Sequence, residues 1–156
     1  MLNFDIILAS ASPRRKTILS QVDLDFTIIP SKINEDFSID LLPKAFCEHW
    51  AREKAIDISR GHSDKLIIGA DTIVIINDKI LGKPKSHKES FAMLKSLSGK
   101  THQVLTGVSL INLDLGIDFT FTETTDVSFC FLADDEINKY IDKYKPYDKA
   151  GSYGIQ

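Results

Sequence analysis

The chain has 156 residues, 43% of them hydrophobic and 26% charged, a length and balance that fit one compact unit around one main core and exclude a disordered tract or a fibrous repeat. A formal net charge of −3 excludes a long-range positive field, and with it a sequence-general nucleic-acid binder, so any phosphate site has to be local. The start MLNFDIILASASPRR lacks the pattern of a secretory signal and no stretch nears the roughly 20 apolar residues of a membrane span, so a cytoplasmic chain with no membrane partner is expected.

Residues 6–9 form a short apolar run that predicts a strand, and Ser12 followed by Pro13 predicts the capped start of a helix directly after it. Residues 26–29 read as a second short strand, closed by Pro30. From 43 to 60, Cys47, Ala51, Lys54, Ala55 and Ile58 fall on one helical stripe, with Gly61 at its stop. Residues 66–70 predict a buried strand ending at Asp71, after which 72–76 and 79–81 flank an Asn77-Asp78 turn as a hairpin.

Ser86 with Glu89 predicts a capping box for a helix through Phe91, Leu94 and Leu97, stopped by Gly99. Alternation at Val104, Thr106, Val108 and Leu110, then at Phe119 and Phe121 and at Val127, Phe129 and Phe131, predicts two long antiparallel strands joined around 114–116. A final helix takes Asp134 or Asp135 as cap, presents Ile137, Tyr140, Ile141 and Tyr144, and ends at Pro146. The mixture predicts an α/β or α+β domain without fixing the strand order.

Cys47 and Cys130 lie far apart with no CxxC spacing, so neither a disulfide framework nor a zinc site is expected, and both thiols are expected to be buried as small hydrophobes. His49, His62, His87 and His102 show no metal-ligand spacing and are expected to be exposed or hydrogen-bonded. Gly82-Lys83 followed by proline is not a P-loop.

Three segments carry candidate chemistry. Ser10 to Arg15 places a helix start and two arginines together, and free backbone N–H groups with guanidinium forks suit phosphate oxygens. An ordinary capped helix with solvated arginines is an equal reading of that segment. Lys54 on an apolar stripe either snorkels to the edge of the core or meets an anion, with snorkelling the leading reading. Asp71 at the end of an apolar strand is costly to bury unless paired or metal-bound, and a hairpin would return Lys83 to its neighbourhood, which makes Asp71 the leading acid over a turn-capping role.

These segments resemble the signature blocks of the Maf family: LASASPRR at 8–15, AREKA at 51–55, GADTIV at 69–74, LGKP at 81–84, LSGKTHQVLTGV at 97–108 and DKAGSYGIQ at 148–156, in the family's order. The resemblance implies an ITPase-like α/β fold, a long mixed sheet with flanking helices forming two lobes around a cleft. It implies hydrolysis of nucleoside triphosphates to monophosphate and pyrophosphate, with a divalent metal, magnesium or manganese, as cofactor. Carried onto matching positions, it gives substrate-binding roles to Ser10, Ser12, Arg14, Lys54, Thr72 and Lys83, catalytic roles to Asp71, Glu35 and Gln156, and the metal to Asp71 and Glu35. Arg14, Lys54 and Lys83 are thus expected to converge on one anion site.

The ending is similar to that of the branch acting on dTTP and UTP, in contrast to the one acting on N7-methyl-GTP. Family members continue beyond GIQ, so residues 1–156 are expected to be a single Maf-like domain without the family's C-terminal segment, and a homodimer is allowed as an assembly. A non-catalytic nucleotide-binding regulator of cell division and septum formation is the alternative reading.

Overall fold

The computed structural model describes residues 5–154. Among these, six strands and four helices alternate early and mix later. β1 (Ile6–Leu8) runs into α1 (Pro13–Leu19), then come β2 (Phe26–Ile28), α2 (Pro43–Ser59) and β3 (Leu66–Ile76). β4 (Lys79–Leu81), α3 (His87–Leu97), β5 (Thr101–Asn112), β6 (Ile117–Ser128) and α4 (Asp134–Tyr144) follow. The strands make one six-stranded sheet in the order β2-β1-β3-β5-β6, with β4 paired to β3.

The sheet is mixed because two kinds of connection build it. β1 pairs in parallel with β2 across α1 and with β3 across α2, as strands joined through helices do. β3 and β4 are antiparallel, with Ile76 opposite Lys79, because Asn77 (φ 48°) and Asp78 (φ 59°) make the two-residue left-handed turn that a tight hairpin needs. Side-chain bonds pairing Thr101 with Ser128, Gln103 with Asp126 and Ser109 with Thr120 set β5 and β6 antiparallel. This is the mixed sheet with flanking helices that the α/β reading expects.

Several local expectations are corrected. Asp71 does not end a strand: it lies in the middle of the 11-residue β3, Leu66–Ile76, because apolar residues on both sides keep the strand buried. Glu89 closes only half of its capping box, since its N–H donates to Ser86 Oγ at 3.2 Å while its carboxylate accepts from the Lys85 N–H at 2.8 Å. Neither Asp134 nor Asp135 caps α4; Ala133 holds that position and donates its N–H to Glu136 at 2.8 Å, so both aspartates sit inside the first turn. Cys130 is exposed, because β6 stops at Ser128 and the chain beyond it leaves the sheet.

The chain divides into two compact units, residues 1–71 with 106–123, and residues 72–105 with 124–156. The core of the first gathers Ile7, Ala9, Ala55, Ile67 and Ile111, with Ile29, Ile56 and Ile58 against it. Two glycines let α2 lie directly on the sheet there. A Cβ at Gly69 would stand 2.2 Å from the Ala51 carbonyl oxygen, and one at Gly107 would stand 2.4 Å from that of Cys47.

The second unit packs Val74, Ile76 and Leu97 in one cluster and Leu94, Ile137 and Ile141 in another. Its end segment is fixed by Gly151, whose φ of 65° and contact with Val74 exclude a side chain, and by a buried hydroxyl pair between Ser90 and Ser152. His102 is buried on β5, hydrogen-bonded through Nε2 to the Tyr153 hydroxyl at 2.6 Å and edge-on to Phe129.

Candidate active site

The first unit contains a cluster of charge inside an apolar setting. α2 buries Cys47, Ala51 and Ala55 on one stripe, and Lys54 lies on the same side of the helix with its side chain 12% exposed. Its ammonium does not snorkel. It donates to Glu35 Oε1 at 2.5 Å and to Asp71 Oδ1 at 2.8 Å, which corrects the snorkelling reading. The reason is that Asp71 points from β3 toward α2, and taking its carboxylate out of water without a cation would cost several kcal/mol, on the order expected for an isolated buried ion.

Burial, first of all, pushes the Asp71 carboxyl above its ordinary value, and the Glu35 charge adds to this, while Lys54 and Arg15 oppose it. The result is a carboxylate more basic than a solvated one and held by cations. Its second oxygen, Oδ2, is buried with no hydrogen-bond partner. The backbone of Asp71 is fixed as well. The Cys47 thiol donates to the Asp71 carbonyl at 3.1 Å and accepts the Gly107 N–H at 2.8 Å, so one sulfur ties α2 to both β3 and β5.

Arg15 lies in the candidate segment but received no role from the signature blocks. Arg14 is exposed, whereas Arg15 is half-buried, donates to Ser10 Oγ at 3.1 Å, and stands in the fields of Asp71 and Glu35. The available signal was periodicity, since Ser12, Arg15 and Leu19 are the half-buried positions around one side of α1. Ser10 is buried and its hydroxyl also accepts the Ser12 N–H at 3.2 Å. Ser12 itself makes no side-chain cap on the seven-residue α1, so the serines order the start of the helix through Ser10.

Thus Ser10, Arg15, Glu35, Lys54 and Asp71 come together, with Ser12 beside Ser10 in the same segment. Thr72, half-buried, and Lys83, exposed two residues past β4, belong to the second unit. Gln156 lies outside the described residues.

Among the described residues no group of three or more His, Cys, Asp or Glu side chains surrounds one point. Magnesium and manganese sites on nucleotides ask for less, typically one or two carboxylates completed by phosphate oxygens and water. Glu35 and Asp71, with the uncommitted Asp71 Oδ2, fit that requirement.

The family model for Maf-like proteins matches residues 5–156. The chain belongs to the Maf family. This Maf chain is 47% identical over 153 residues to a dTTP/UTP pyrophosphatase of Ruminiclostridium cellulolyticum, covering 97% of itself and 79% of that protein. It is 46% identical to a dTTP/UTP pyrophosphatase of Halalkalibacterium halodurans, covering 97% of itself and 78% of the relative. A similarly named protein of Bacillus pumilus is 48% identical, with 97% and 79% covered.

Among solved structures, the Maf chain is similar to the Ham1 protein of Staphylococcus aureus, with a TM-score of 0.56 at 15% identity over 83% of this chain and 72% of that one. A HAM1 protein of Coxiella burnetii gives 0.55 at 15% identity, over 81% and 73%. At such identity these show a shared fold. No helix among the described residues is long and apolar enough to cross a membrane.

Proposed function

We propose that this Maf chain hydrolyses dTTP and UTP to the nucleoside monophosphate and pyrophosphate. The observation that carries the reading is the Glu35–Lys54–Asp71 cluster, gathered around the buried Asp71 in a chain 46–48% identical to proteins named for that activity. A triphosphate carries several negative charges, so the site needs cations for the phosphates and a base for water.

Asp71 is the base. Its raised basicity suits it to take the proton of a water that adds to phosphorus as the P–O bond of the α,β-bridge breaks and pyrophosphate leaves. Glu35 shares the cation load, and a divalent metal would be held by Glu35 and Asp71. When bound, magnesium or manganese supplies charge neutralisation to the phosphate oxygens. Ser10, Ser12, Arg14, Lys54, Thr72 and Lys83 bind the substrate in this reading, Arg15 joins them on the strength of its place beside the acids, and Gln156 is carried with the catalytic group. Residues 1–156 act as one Maf-like domain, the chain works in the cytoplasm, and a homodimer is compatible with this reading.

The test is a nucleotide panel containing dTTP, UTP, purine triphosphates and N7-methyl-GTP, with Mg²⁺ or Mn²⁺, in which pyrophosphate and orthophosphate are measured separately. Pyrophosphate release with the highest kcat/KM on dTTP or UTP is expected. The highest value on a purine would remove the pyrimidine assignment, and nucleotide binding without any pyrophosphate would return the reading to a binding-only regulator.

A further inference from the structure

We propose that Lys54 is the resident counter-ion of the Glu35–Asp71 acid pair, and that a divalent cation displaces it, sending the ammonium to the triphosphate. The inference deepens the function proposed above and rests on it for the identity of the phosphate ligand.

One nitrogen, Lys54 Nζ, touches both carboxylates, at 2.5 and 2.8 Å. A divalent cation held by the same two carboxylates would place a second positive charge within a few ångströms of the ammonium, so the metal and the ammonium compete for the same acid pair. The exchange has to be made by the side chain. α2 is held against the strands at Gly69 and Gly107 with no room for a Cβ, and Cys47 bonds it to both, so the helix does not withdraw. A lysine has a flexible four-carbon stem and a point charge that can swing between anions, whereas the planar guanidinium of Arg15 is fastened to Ser10.

The site also holds a place for what arrives. Asp71 is 3% exposed, yet its Oδ2 has no hydrogen-bond partner, an arrangement that costs free energy until a cation or a donor takes it up. Once displaced, a lysine with a 12% exposed side chain needs a new anion, and the phosphates accompanying the metal provide it. Metal and triphosphate then bind with positive coupling through Lys54, each raising the other's affinity by the same factor.

The experiment uses Mn²⁺ alone, without nucleotide, and reads the free ion by electron paramagnetic resonance. Lys54→Met keeps the stem and removes the charge, and Lys54→Gln is the second neutral variant should the first not fold. Both are expected to bind Mn²⁺ at least about tenfold more tightly than the wild type, the modest end of what one unit charge at ion-pair distance is worth near a protein surface. The gain should vanish in the double variant Asp71→Asn, Lys54→Met. Mg²⁺ should likewise raise the thermal midpoint of Lys54→Met by more than that of the wild type.

Neutral variants that bind Mn²⁺ no more tightly than the wild type, or a gain that persists without Asp71, would overturn the exchange. Absence of detectable Mn²⁺ binding in every form would overturn it too. The enzymatic reading fails separately: a wild type that releases no pyrophosphate, beside a Lys54→Met protein with tightened Mn²⁺ binding, removes the activity and leaves the exchange standing.

Discussion

Lys54 Nζ lies 2.8 Å from Asp71 Oδ1, a bond between a lysine in the middle of a helix and an aspartate in the middle of a strand, both largely removed from water. Glu35 shares the same ammonium from a loop, so neither carboxylate can be changed without altering the charge balance of the other.

Asp71→Asn keeps the size of the side chain and removes its charge and basicity. General-base assistance is typically worth about 10²–10⁴-fold, so kcat for pyrophosphate release should fall by at least about a hundredfold while the protein stays folded. Turnover beside the thermal midpoint checks this. Near-normal activity in a folded variant would move the base to Glu35.

The two arginines of the SPRR segment should separate. Arg15→Met leaves Ser10 Oγ without its guanidinium donor and the acid pair with one cation fewer, a loss of about 1–3 kcal/mol by analogy with other buried hydrogen bonds to charged groups. Arg14 is exposed, and Arg14→Met should leave stability nearly unchanged and act on KM. Urea unfolding of the two variants decides the order, and equal destabilisation would contradict the placement of Arg15.

Gly107→Ala should destabilise sharply. The added Cβ would stand 2.4 Å from the Cys47 carbonyl oxygen, a backbone atom that moves only with the whole of α2, so the cost should reach or exceed about 1–3 kcal/mol. Gly99→Ala is a useful contrast, because nothing lies within 4 Å of its Cβ and only the strain of φ 69° remains. Chemical denaturation compares them.

His102 sets a pH dependence. Burial lowers its pKa below the ordinary 6.5, and its neighbours are the Tyr153 hydroxyl and the Phe129 ring. Below pH 6.5 the unfolded chain therefore binds a proton that the folded chain refuses. Stability rises with pH wherever the unfolded state holds more protons, so this contribution is complete above 6.5 and is lost as pH falls below it. Thermal midpoints of the wild type should decline below that pH more steeply than those of His102→Gln. Parallel curves would remove His102 as the cause.

The two thiols should react unequally. Cys130 is exposed, whereas Cys47 is buried, with burial and then the Asp71 charge pushing its thiol up to about 12. A maleimide reagent at neutral pH should label one cysteine in the folded chain and two in denaturant, since the thiolate is the nucleophile. Rapid labelling of Cys47 in the native state would show that α2 opens from the strands.

By itself the sequence determined the elements and most of the chemistry types. Period-two and period-3.6 spacing are local consequences of backbone geometry, so β1, the start of α1, α2 and the β3–β4 hairpin could be read to within a residue or two, whereas the long β5–β6 pair was recognised with β5 starting earlier, at Thr101, and β6 stopping at Ser128 short of Phe131. The cost of burying charge marked Asp71 and Lys54 as residues needing a reason, and the ordered signature blocks supplied the family. Tertiary structure decided the rest. That β1 lies between β2 and β3, and that Glu35, from an aperiodic loop, meets Lys54, follow from long-range pairing that no local spacing encodes. Lys54 turned to an anion because Asp71, in the middle of β3 and facing α2, was the buried charge within its reach. Arg15 stands beside the acids because the winding of α1 from Pro13 selects which of two adjacent side chains faces inward, and adjacent residues on a helix stand about 100° apart.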